Sequence, residues 1–215
     1  MGLDVTRVEL GPFAENCYVV RRPGGDEGVI LDPGAPGEDD RILGALGGAR
    51  CAAVLVTHAD VDHLGGVADI AEATGAPVHM AARDRERLER INDFVPKAFG
   101  VTLRPHTPDV LLAGDETLEL AGITWETLRV PGHTAGHLAY HADGCLFAGD
   151  LIFAGSVGRT DRPGDDWDSL LASIRMLVER FPPETAVYPG HGPSTTLGAE
   201  LAGNPFLAEL RTAHR

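Results

Sequence analysis

The sequence predicts an α/β fold in which two β-sheets pack against each other and helices cover their outer faces. Three observations favour this fold. The 215 residues include 27 Gly and 15 Pro, so many turns are expected and a helical bundle is disfavoured. Short β-rich runs open the chain and alternating strands and helices follow them. The same order then recurs in the second half, which predicts two sheets with outer helices.

Length and composition predict one soluble domain covering residues 1–215. The net charge of −14 disfavours a nucleic-acid surface and docking on an anionic membrane. The segment Met1–Leu10 has no apolar signal region, and no run reaches the roughly 18 apolar residues of a membrane span. Three cysteines without a CxxC pair suit a reduced compartment. We therefore expect a cytoplasmic protein with a small-molecule partner, whose oligomeric state the sequence leaves open.

In the first half, turn residues separate the apolar runs. A β meander comes first, followed by alternating helices and strands and then by a long loop at 91–109 that carries Phe94 and Phe99. Apolar residues at i, i+3, i+4 and i+7 predict the helix that begins at Leu64. The predicted strands are Val5–Leu10, Cys17–Arg21, Gly28–Asp32, Ala53–Val56 and Pro77–Met80, and the predicted helices are Asp39–Leu46, Leu64–Ala73 and Arg83–Arg90.

The second half shows the same pattern of apolar runs separated by turn residues. An apolar face recurs at helical spacing from Asp166 to Arg180, and Pro182 follows the helix end. Asn204-Pro205 is typical of an N-cap followed by proline at the first position of a terminal helix. The predicted strands are Ile123–Val130, His137–His141, Cys145–Ala148 and Ala186–Tyr188.

Four potential metal ligands lie in one segment directly after the strand Ala53–Val56. The segment reads Thr57-His58-Ala59-Asp60-Val61-Asp62-His63, and an amphipathic helix follows it. A strand-to-helix loop lets side chains converge on one point, whereas side chains along a strand alternate between faces. The segment therefore predicts a cluster of imidazole and carboxylate groups at one end of a strand.

Three further candidate ligands follow predicted strands and have glycine neighbours: His133, Asp150 and His191. Imidazole and carboxylate groups bind Zn²⁺, Fe²⁺ and Mn²⁺. Seven ligands can hold two ions about 3.5–4 Å apart when one carboxylate bridges them. A lone histidine is more often a hydrogen-bonded core residue, but this concentration at strand ends favours a metal centre.

Five further motifs accompany these ligands. They are Gly11-Pro12-Phe13-Ala14-Glu15-Asn16-Cys17, Leu31-Asp32-Pro33-Gly34, Pro131-Gly132-His133-Thr134-Ala135-Gly136-His137, Val157-Gly158-Arg159-Thr160-Asp161, and Pro189-Gly190-His191-Gly192-Pro193 running on to Asn204-Pro205-Phe206-Leu207. Together they resemble the metallo-β-lactamase fold superfamily and, within it, the short single-domain relatives of glyoxalase II. The resemblance covers nearly the whole chain. It implies an αββα sandwich of two mixed sheets flanked by helices, with metal ions at one edge.

The resemblance also assigns roles to the candidate ligands. It implies two divalent ions, with zinc favoured over iron and manganese, and a hydroxide between them that attacks a thioester carbonyl. Asp150 would bridge the ions, and Asp62 is the residue assigned a catalytic role. One ion would be held by His58, Asp60, His133 and Asp150, and the other by Asp62, His63, His191 and Asp150.

Asp60 departs from the common superfamily motif His-x-His-x-Asp-His, because it stands in place of the second histidine. Four interpretations stay open: a ligand of different charge, a carboxylate that reaches metal only through water, a single-metal site, or lost activity. If Asp60 does ligate, the added negative charge should make bound water less acidic and favour harder ions.

Other residues have weaker assignments. Arg159 and Asn16 are candidate substrate contacts, with turn stabilisation as the alternative for both. His137 could orient a ligand or make a structural hydrogen bond. We expect Cys17, Cys51 and Cys145 to be buried packing residues rather than nucleophiles. His79, His106, His141 and His214 follow no ligand spacing and are predicted to be surface or core residues.

The leading functional hypothesis is a metal-dependent hydrolase of hydroxyacyl thioesters of a low-molecular-weight thiol. The chain lacks a segment matching the glutathione-binding C-terminal domain of full-length glyoxalase II enzymes, so the thiol carrier stays open. The alternatives are a lactone or ester hydrolase, an iron oxygenase of the persulfide dioxygenase type, and a non-catalytic metal-binding relative.

Overall fold

The structure is a computed structural model that describes residues 2–213. Its strands are β1 (Asp4–Leu10), β2 (Glu15–Arg21), β3 (Glu27–Leu31), β4 (Arg50–Leu55), β5 (Val78–Ala81), β6 (Val110–Leu112), β7 (Thr117–Leu120), β8 (Ile123–Arg129), β9 (Leu138–Ala142), β10 (Cys145–Gly149), β11 (Ile152–Phe153), β12 (Ser156–Val157), β13 (Ala186–Pro189) and β14 (Thr195–Thr196). Its α-helices are α1 (Asp39–Leu46), α2 (Val61–Leu64), α3 (Val67–Thr74), α4 (Arg85–Glu89), α5 (Trp167–Arg180), α6 (Leu197–Gly203) and α7 (Ala208–Ala213).

Two six-stranded mixed sheets form the body of the molecule. The first has the order β1-β2-β3-β4-β5-β6 and the second the order β14-β13-β10-β9-β8-β7, while β11 and β12 form a separate hairpin. In the first sheet β3 to β6 are parallel, and in the second β10 is parallel to β13. Consecutive parallel strands bring their carboxyl ends to one edge, which is where the candidate ligands lie.

The apolar residues form three layers. Tyr18, Leu55, Trp125 and Phe147 belong to the layer between the two sheets. Helices α1, α3 and α4 cover the other face of the first sheet, and α5 and α6 cover that of the second. Each sheet is thus buried on both faces, which is the predicted αββα sandwich and confirms the predicted fold class.

The predicted helix Leu64–Ala73 is interrupted in the structure, because α2 ends at Leu64 and α3 begins at Val67. Gly65 and Gly66 lie at this break against the loop after β3. A Cβ atom on Gly65 would lie 2.3 Å from the carbonyl oxygen of Gly34, so the close approach requires glycine. The apolar periodicity continues across the break, which is why the sequence pattern does not reveal it.

Several short elements were not predicted. The edge strands β6, β7 and β14, the hairpin β11–β12 and the helix α6 all lie in segments for which the sequence predicted no element. Within the predicted loop 91–109 the structure has 3-10 turns at Ile91–Asp93 and Lys97–Phe99 but no strand. Among residues 2–213, no helix has the length and apolar character required to cross a bilayer.

Candidate metal centre

The segment after β4 places its four candidate ligands around one turn. Asp60 is the N-cap residue of α2, and its carbonyl accepts a hydrogen bond from the backbone N–H of His63 at 3.0 Å. His58 precedes this turn, and both histidine rings are buried, with centroids 4.2 Å apart. The helix α2 begins at Val61, before the predicted start at Leu64. This first turn directs the side chains of Asp60, Asp62 and His63 toward one edge of the sheet.

The second sheet supplies the other three candidates from the ends of its strands. His133 follows β8, Asp150 follows β10 and His191 follows β13. Gly132 has a φ of +145°, and a Cβ there would lie 2.3 Å from the backbone of Leu170 in α5. Only glycine fits this packing, so the Pro-Gly-His motif bends the chain tightly against α5 before His133.

The structure brings all seven predicted ligands together, with Asp150 between two clusters. In the first cluster, Nε2 of His133 lies 3.1 Å from Oδ2 of Asp60, which is 3.9 Å from Nε2 of His58. In the second, Nε2 of His191 lies 3.3 Å from Oδ2 of Asp62.

Asp150 contacts members of both clusters. Its Oδ2 lies 3.8 Å from Nε2 of His133 and 3.5 Å from Nε2 of His191. Its Oδ1 lies 3.4 Å from Nε2 of His63. A carboxylate in this position fits the bridging role that the sequence resemblance implies for Asp150.

The tautomers of three histidines fit a metal centre. Nδ1 of His63 donates to Oδ2 of Asp32 at 3.1 Å, and Nδ1 of His133 donates to the carbonyl oxygen of Arg159 at 3.0 Å. The hydroxyl of Thr57 donates to Asp32, so it accepts a hydrogen bond from Nδ1 of His58 at 3.0 Å. With the proton on Nδ1, Nε2 is left as a bare ligand atom in each ring.

The ligand atoms also lack other partners. Within the described part of the chain, Nε2 of His58, Nε2 of His63 and Oδ1 of Asp150 are buried and accept no hydrogen bond. Burying such atoms without a partner costs free energy. Bare nitrogens that face carboxylates at 3–4 Å need a cation between them, so the residues present fit divalent metal ions.

The Asp150 carboxylate is ionised. Burial would raise the pKa of Asp150, but His63, His191 and His58 hold it well below its ordinary value. Burial lowers the pKa of His191, yet its hydrogen bonds with Asp150 and Asp62 raise it to about 10. The shifts of both residues come from carboxylate–imidazole attraction, and a divalent ion at the same place would take over the attraction to the Asp150 carboxylate.

Asp60 has a partner that sequence reasoning missed. Nη1 of Arg162 donates to Oδ2 of Asp60 at 2.7 Å, and Nε of Arg162 donates to Asp165 at 3.1 Å. Burial would raise the pKa of the Asp60 carboxyl, but the neighbouring His133, His58 and Arg162 hold it well below its ordinary value. The guanidinium offsets the charge that Asp60 adds relative to histidine, which weakens the expected preference for harder ions.

Asp32 supports the centre from behind. Besides the contact with His63, it accepts hydrogen bonds from the backbone N–H of Thr57 at 2.7 Å and from its hydroxyl at 2.6 Å. Asp32 has a φ of +48°, a left-handed conformation that non-glycine residues rarely adopt. A strained backbone conformation of this kind persists where the surrounding contacts fix it. Here it directs the Asp32 carboxylate toward both Thr57 and His63.

The two predicted substrate contacts have different locations. Arg159 is 58% exposed in its side chain, pairs with Asp161 and lines the cavity above the candidate ligands. Asn16 is fully buried, and its amide donates to the carbonyls of Pro189 at 2.9 Å and Gly192 at 2.8 Å. The structure thus places Asn16 behind the His191 loop, which it holds in position, and not in the cavity.

His137 is a packing partner of a candidate ligand and makes no hydrogen bond to one. Its Nε2 donates to the carbonyl of Ala148 at 3.1 Å, and its ring lies 4.7 Å from the ring of His58. Burial lowers its pKa to about 3, so it is neutral at physiological pH.

The remaining histidines and the cysteines lie outside the cluster of candidate ligands. His79 is buried, His106 and His141 are half-buried, and His214 lies outside the described residues. Cys17 and Cys51 are buried, Cys145 is half-buried, and burial raises the pKa of all three thiols. Protonated thiols are poor nucleophiles, which agrees with the packing role expected for them.

Five of the seven candidate ligands line an open cavity of about 630 Å³: Asp60, Asp62, His133, Asp150 and His191. Arg87, Arg159 and Arg162 lie on its walls together with Phe94 and Phe99. Phe94 and Phe99 belong to the long loop 91–109, so this loop covers one side of the site. A cavity of this size accommodates a small-molecule substrate.

Comparisons with known proteins agree with this architecture. The family model described as the metallo-beta-lactamase superfamily matches residues 10–191. The chain is 30% identical to the hydroxyacylglutathione hydrolase GloC of Haemophilus influenzae, over 95% of this chain and 98% of GloC.

Two solved structures extend the comparison. BLEG-1, a B3 metallo-beta-lactamase, is 34% identical with a TM-score of 0.88, over 95% of this chain and all of BLEG-1. TTHA1623, whose crystal structure is of a di-iron-bound form, is 41% identical with a TM-score of 0.82, over 94% of this chain and all of TTHA1623. With the family model covering most of its length, the chain belongs to the metallo-beta-lactamase superfamily.

Proposed function

We propose that the protein is a metal-dependent hydrolase that cleaves hydroxyacyl thioesters of a low-molecular-weight thiol. The observation that carries the proposal is the convergence of the Nε2 atoms of His63, His133 and His191 on the carboxylate of Asp150, at 3.4–3.8 Å. The hydroxyacylglutathione hydrolase GloC, similar over nearly its full length, supports this substrate class. Two divalent ions, with zinc favoured, would polarise the thioester carbonyl and lower the pKa of water.

The side chains of the protein would orient the attacking water and bind the substrate. Asp62 has a side chain about one-quarter exposed to the cavity, with Oδ2 close to His191. We assign Oδ2 of Asp62 to accept a hydrogen bond from the attacking water and so to orient it. Arg159 lies on the cavity wall and would bind an anionic group of the thiol carrier. A thiolate leaves without a strong general acid because its pKa is low.

We also propose that residues 1–215 act as one domain in a reduced, cytoplasmic compartment. The layer between the sheets draws side chains from both of them, which supports a single folding unit. The cysteines Cys17, Cys51 and Cys145 are free, which suits a reduced compartment.

The test combines metal content with a substrate panel. Protein expressed with zinc, iron and manganese all present is analysed by inductively coupled plasma mass spectrometry and assayed with S-lactoyl thioesters, lactones and a β-lactam. We expect about two zinc ions per chain and selective thioester cleavage. His58→Ala should abolish metal binding and thioester cleavage. His141 is half-buried and packs on Phe181, so His141→Ala should change neither the metal content nor the cleavage rate.

Other results would replace the proposal. About one iron per chain, with oxygen uptake on a glutathione persulfide, would establish the oxygenase alternative. Cleavage of lactones alone would establish the ester hydrolase alternative. Little metal of any kind, with no activity that depends on His58, would establish a non-catalytic relative.

A further inference from the structure

A second cavity opens beside the metal cavity. Its volume is about 430 Å³. It lies between the turn Leu10–Phe13, the loop Gly34–Pro36, Val61 and the segment Val101–Leu103, and apolar groups dominate its walls. We call it the side cavity. Because Phe13, Val61, Asp62 and Phe99 line both cavities, a ligand held over the candidate ligands can extend into it without leaving the protein surface.

Two exposed aromatic rings mark the boundary between the cavities. The rings of Phe13 and Phe99 lie 5.4 Å apart, and the two residues are 48% and 44% exposed. Val101 beside them is 49% exposed. Large apolar side chains left in water beside a cavity gain free energy when an apolar group covers them. The boundary is therefore suited to the hydrocarbon part of a substrate.

One buried polar group interrupts the apolar wall. Glu15 is 1% exposed and lines the side cavity. In the range that the structure describes, neither of its carboxyl oxygens has a hydrogen-bond partner. Its Oε1 lies 3.8 Å from Nδ1 of His63, so this group is at the end nearest the metal centre. Because both of these oxygens are buried, the surface that the side cavity offers to a ligand is apolar.

The wall of the metal cavity has a different character from that of the side cavity. Arg87, Arg159 and Arg162 lie on the metal-cavity wall, in a chain whose net charge is −14. Guanidinium groups bind carboxylates and phosphates. The two sides of the site thus match two chemically different halves of one substrate, an apolar half and an anionic half.

We propose that the side cavity is an acyl subsite, which receives the apolar chain of a 2-hydroxyacyl thioester while an anionic thiol carrier lies against the arginines. The inference rests on the proposed function and goes further, because it requires an acyl group larger than lactoyl. Each methylene that leaves water for the side cavity should raise kcat/KM by about 4-fold.

The first test is a series of thioesters on one thiol. We expect the 2-hydroxyhexanoyl thioester, three methylenes longer than the lactoyl thioester, to have at least about 10-fold higher kcat/KM. Equal kcat/KM values for the lactoyl and 2-hydroxyhexanoyl thioesters would overturn the acyl subsite.

A variant locates the effect. Val101→Trp fills the mouth of the side cavity, and because Val101 is half exposed the larger ring fits without disturbing the core. The preference for the long chain should fall below 3-fold. Leu111→Trp, at a 42% exposed position on β6, is the matched control and should keep the full preference. An unchanged preference in Val101→Trp would overturn the assignment of the subsite to this cavity.

A binding measurement separates this inference from the proposed function. Calorimetry with hexanoate and acetate on the metal-loaded protein compares two carboxylates that differ only in chain length. We expect hexanoate to bind at least about 10-fold more tightly in the wild type and to lose this advantage in Val101→Trp. If no thioester is hydrolysed, the proposed function fails while this difference still supports the subsite. Equal affinities would overturn the subsite even in an active thioesterase.

Discussion

The guanidinium of Arg162 lies 2.7 Å from the carboxylate of Asp60. Asp60 is the residue that stands where the common superfamily motif has its second histidine. A carboxylate paired with a guanidinium is neutral overall, as an imidazole is. Asp60 and Arg162 together can therefore replace one histidine without changing the total charge of the centre. This pairing favours a working site over a damaged one among the interpretations that the sequence leaves open.

The pair predicts that Asp60→His is harmful by itself. The substitution removes the acceptor of the Arg162 Nη1 hydrogen bond and leaves that edge of the guanidinium facing an imidazole. We expect metal affinity, measured by competition with a chromophoric chelator, to fall at least about 10-fold. Asp60→His combined with Arg162→Gln should recover most of the lost metal affinity, because the effects of substitutions at two contacting residues are not additive. Arg159→Gln, which removes a guanidinium paired with Asp161, is the control; a gain of activity in Asp60→His alone would mean that Asp60 had ended catalysis.

Asp32 provides a second prediction, because it positions His63 without facing the cavity. Asp32→Asn keeps a residue type that tolerates a positive φ, but its amide N–H would meet the Nδ1–H of His63. We expect zinc affinity to fall about 10- to 100-fold while the circular dichroism spectrum stays unchanged. Asp115→Asn, which changes an exposed aspartate next to β7, is the matched control. Wild-type affinity in Asp32→Asn would show that His63 needs no orienting partner.

The third prediction concerns the close packing around Asp150. A Cβ on Gly190 would lie 2.2 Å from Oδ1 of Asp150 and 2.7 Å from Cε1 of His63. Gly190→Ala should therefore displace the central carboxylate and reduce bound metal below half of the wild-type amount, as measured by mass spectrometry. Gly44→Ala, in α1 with open space around it, should keep the metal and stabilise the helix slightly. Full metal content in Gly190→Ala would show that Asp150 has room to move.

The fourth prediction concerns stability and pH. Asp84 is 7% exposed and packs against Gly136, and burial raises the pKa of its carboxyl to about 6. The folded protein therefore holds a proton that the unfolded chain releases near pH 4, and stability from this group falls as the pH rises from about 4 to 6. Asp84→Asn should gain about 1–3 kcal/mol at pH 7 and nothing at pH 4. Thermal unfolding at both pH values tests this, and equal gains at the two would contradict it.

Much of the fold was predictable because local signals agreed with one another. Asp39–Leu46 was predicted with its observed bounds, and Asp166 is the N-cap of α5 through its bond to the N–H of Ser169. The convergence of the candidate ligands His58, His133 and His191 was predictable because each of them follows the end of a strand.

The features that escaped prediction depend on contacts between distant parts of the chain. Arg162 lies in a loop 102 residues from Asp60, and no local pattern links the two. The side cavity forms where the turn at Phe13 meets the loop at Phe99, and their pairing exists only in the folded molecule. The motif around Asn16 leaves a substrate contact and a turn residue as alternatives, because it reveals the residue type without the direction of the side chain, and the structure buries the amide against Pro189 and Gly192.

The distribution of candidate ligands over both sheets has a consequence for stability. His58 and His63 follow strand β4 of the first sheet, whereas His133, Asp150 and His191 follow strands of the second. Any cation held by members of both groups fastens the two halves of the sandwich together at one edge. Its binding free energy then adds to the free energy of unfolding. Resistance of this protein to heat would accordingly rise and fall with the supply of metal in its surroundings.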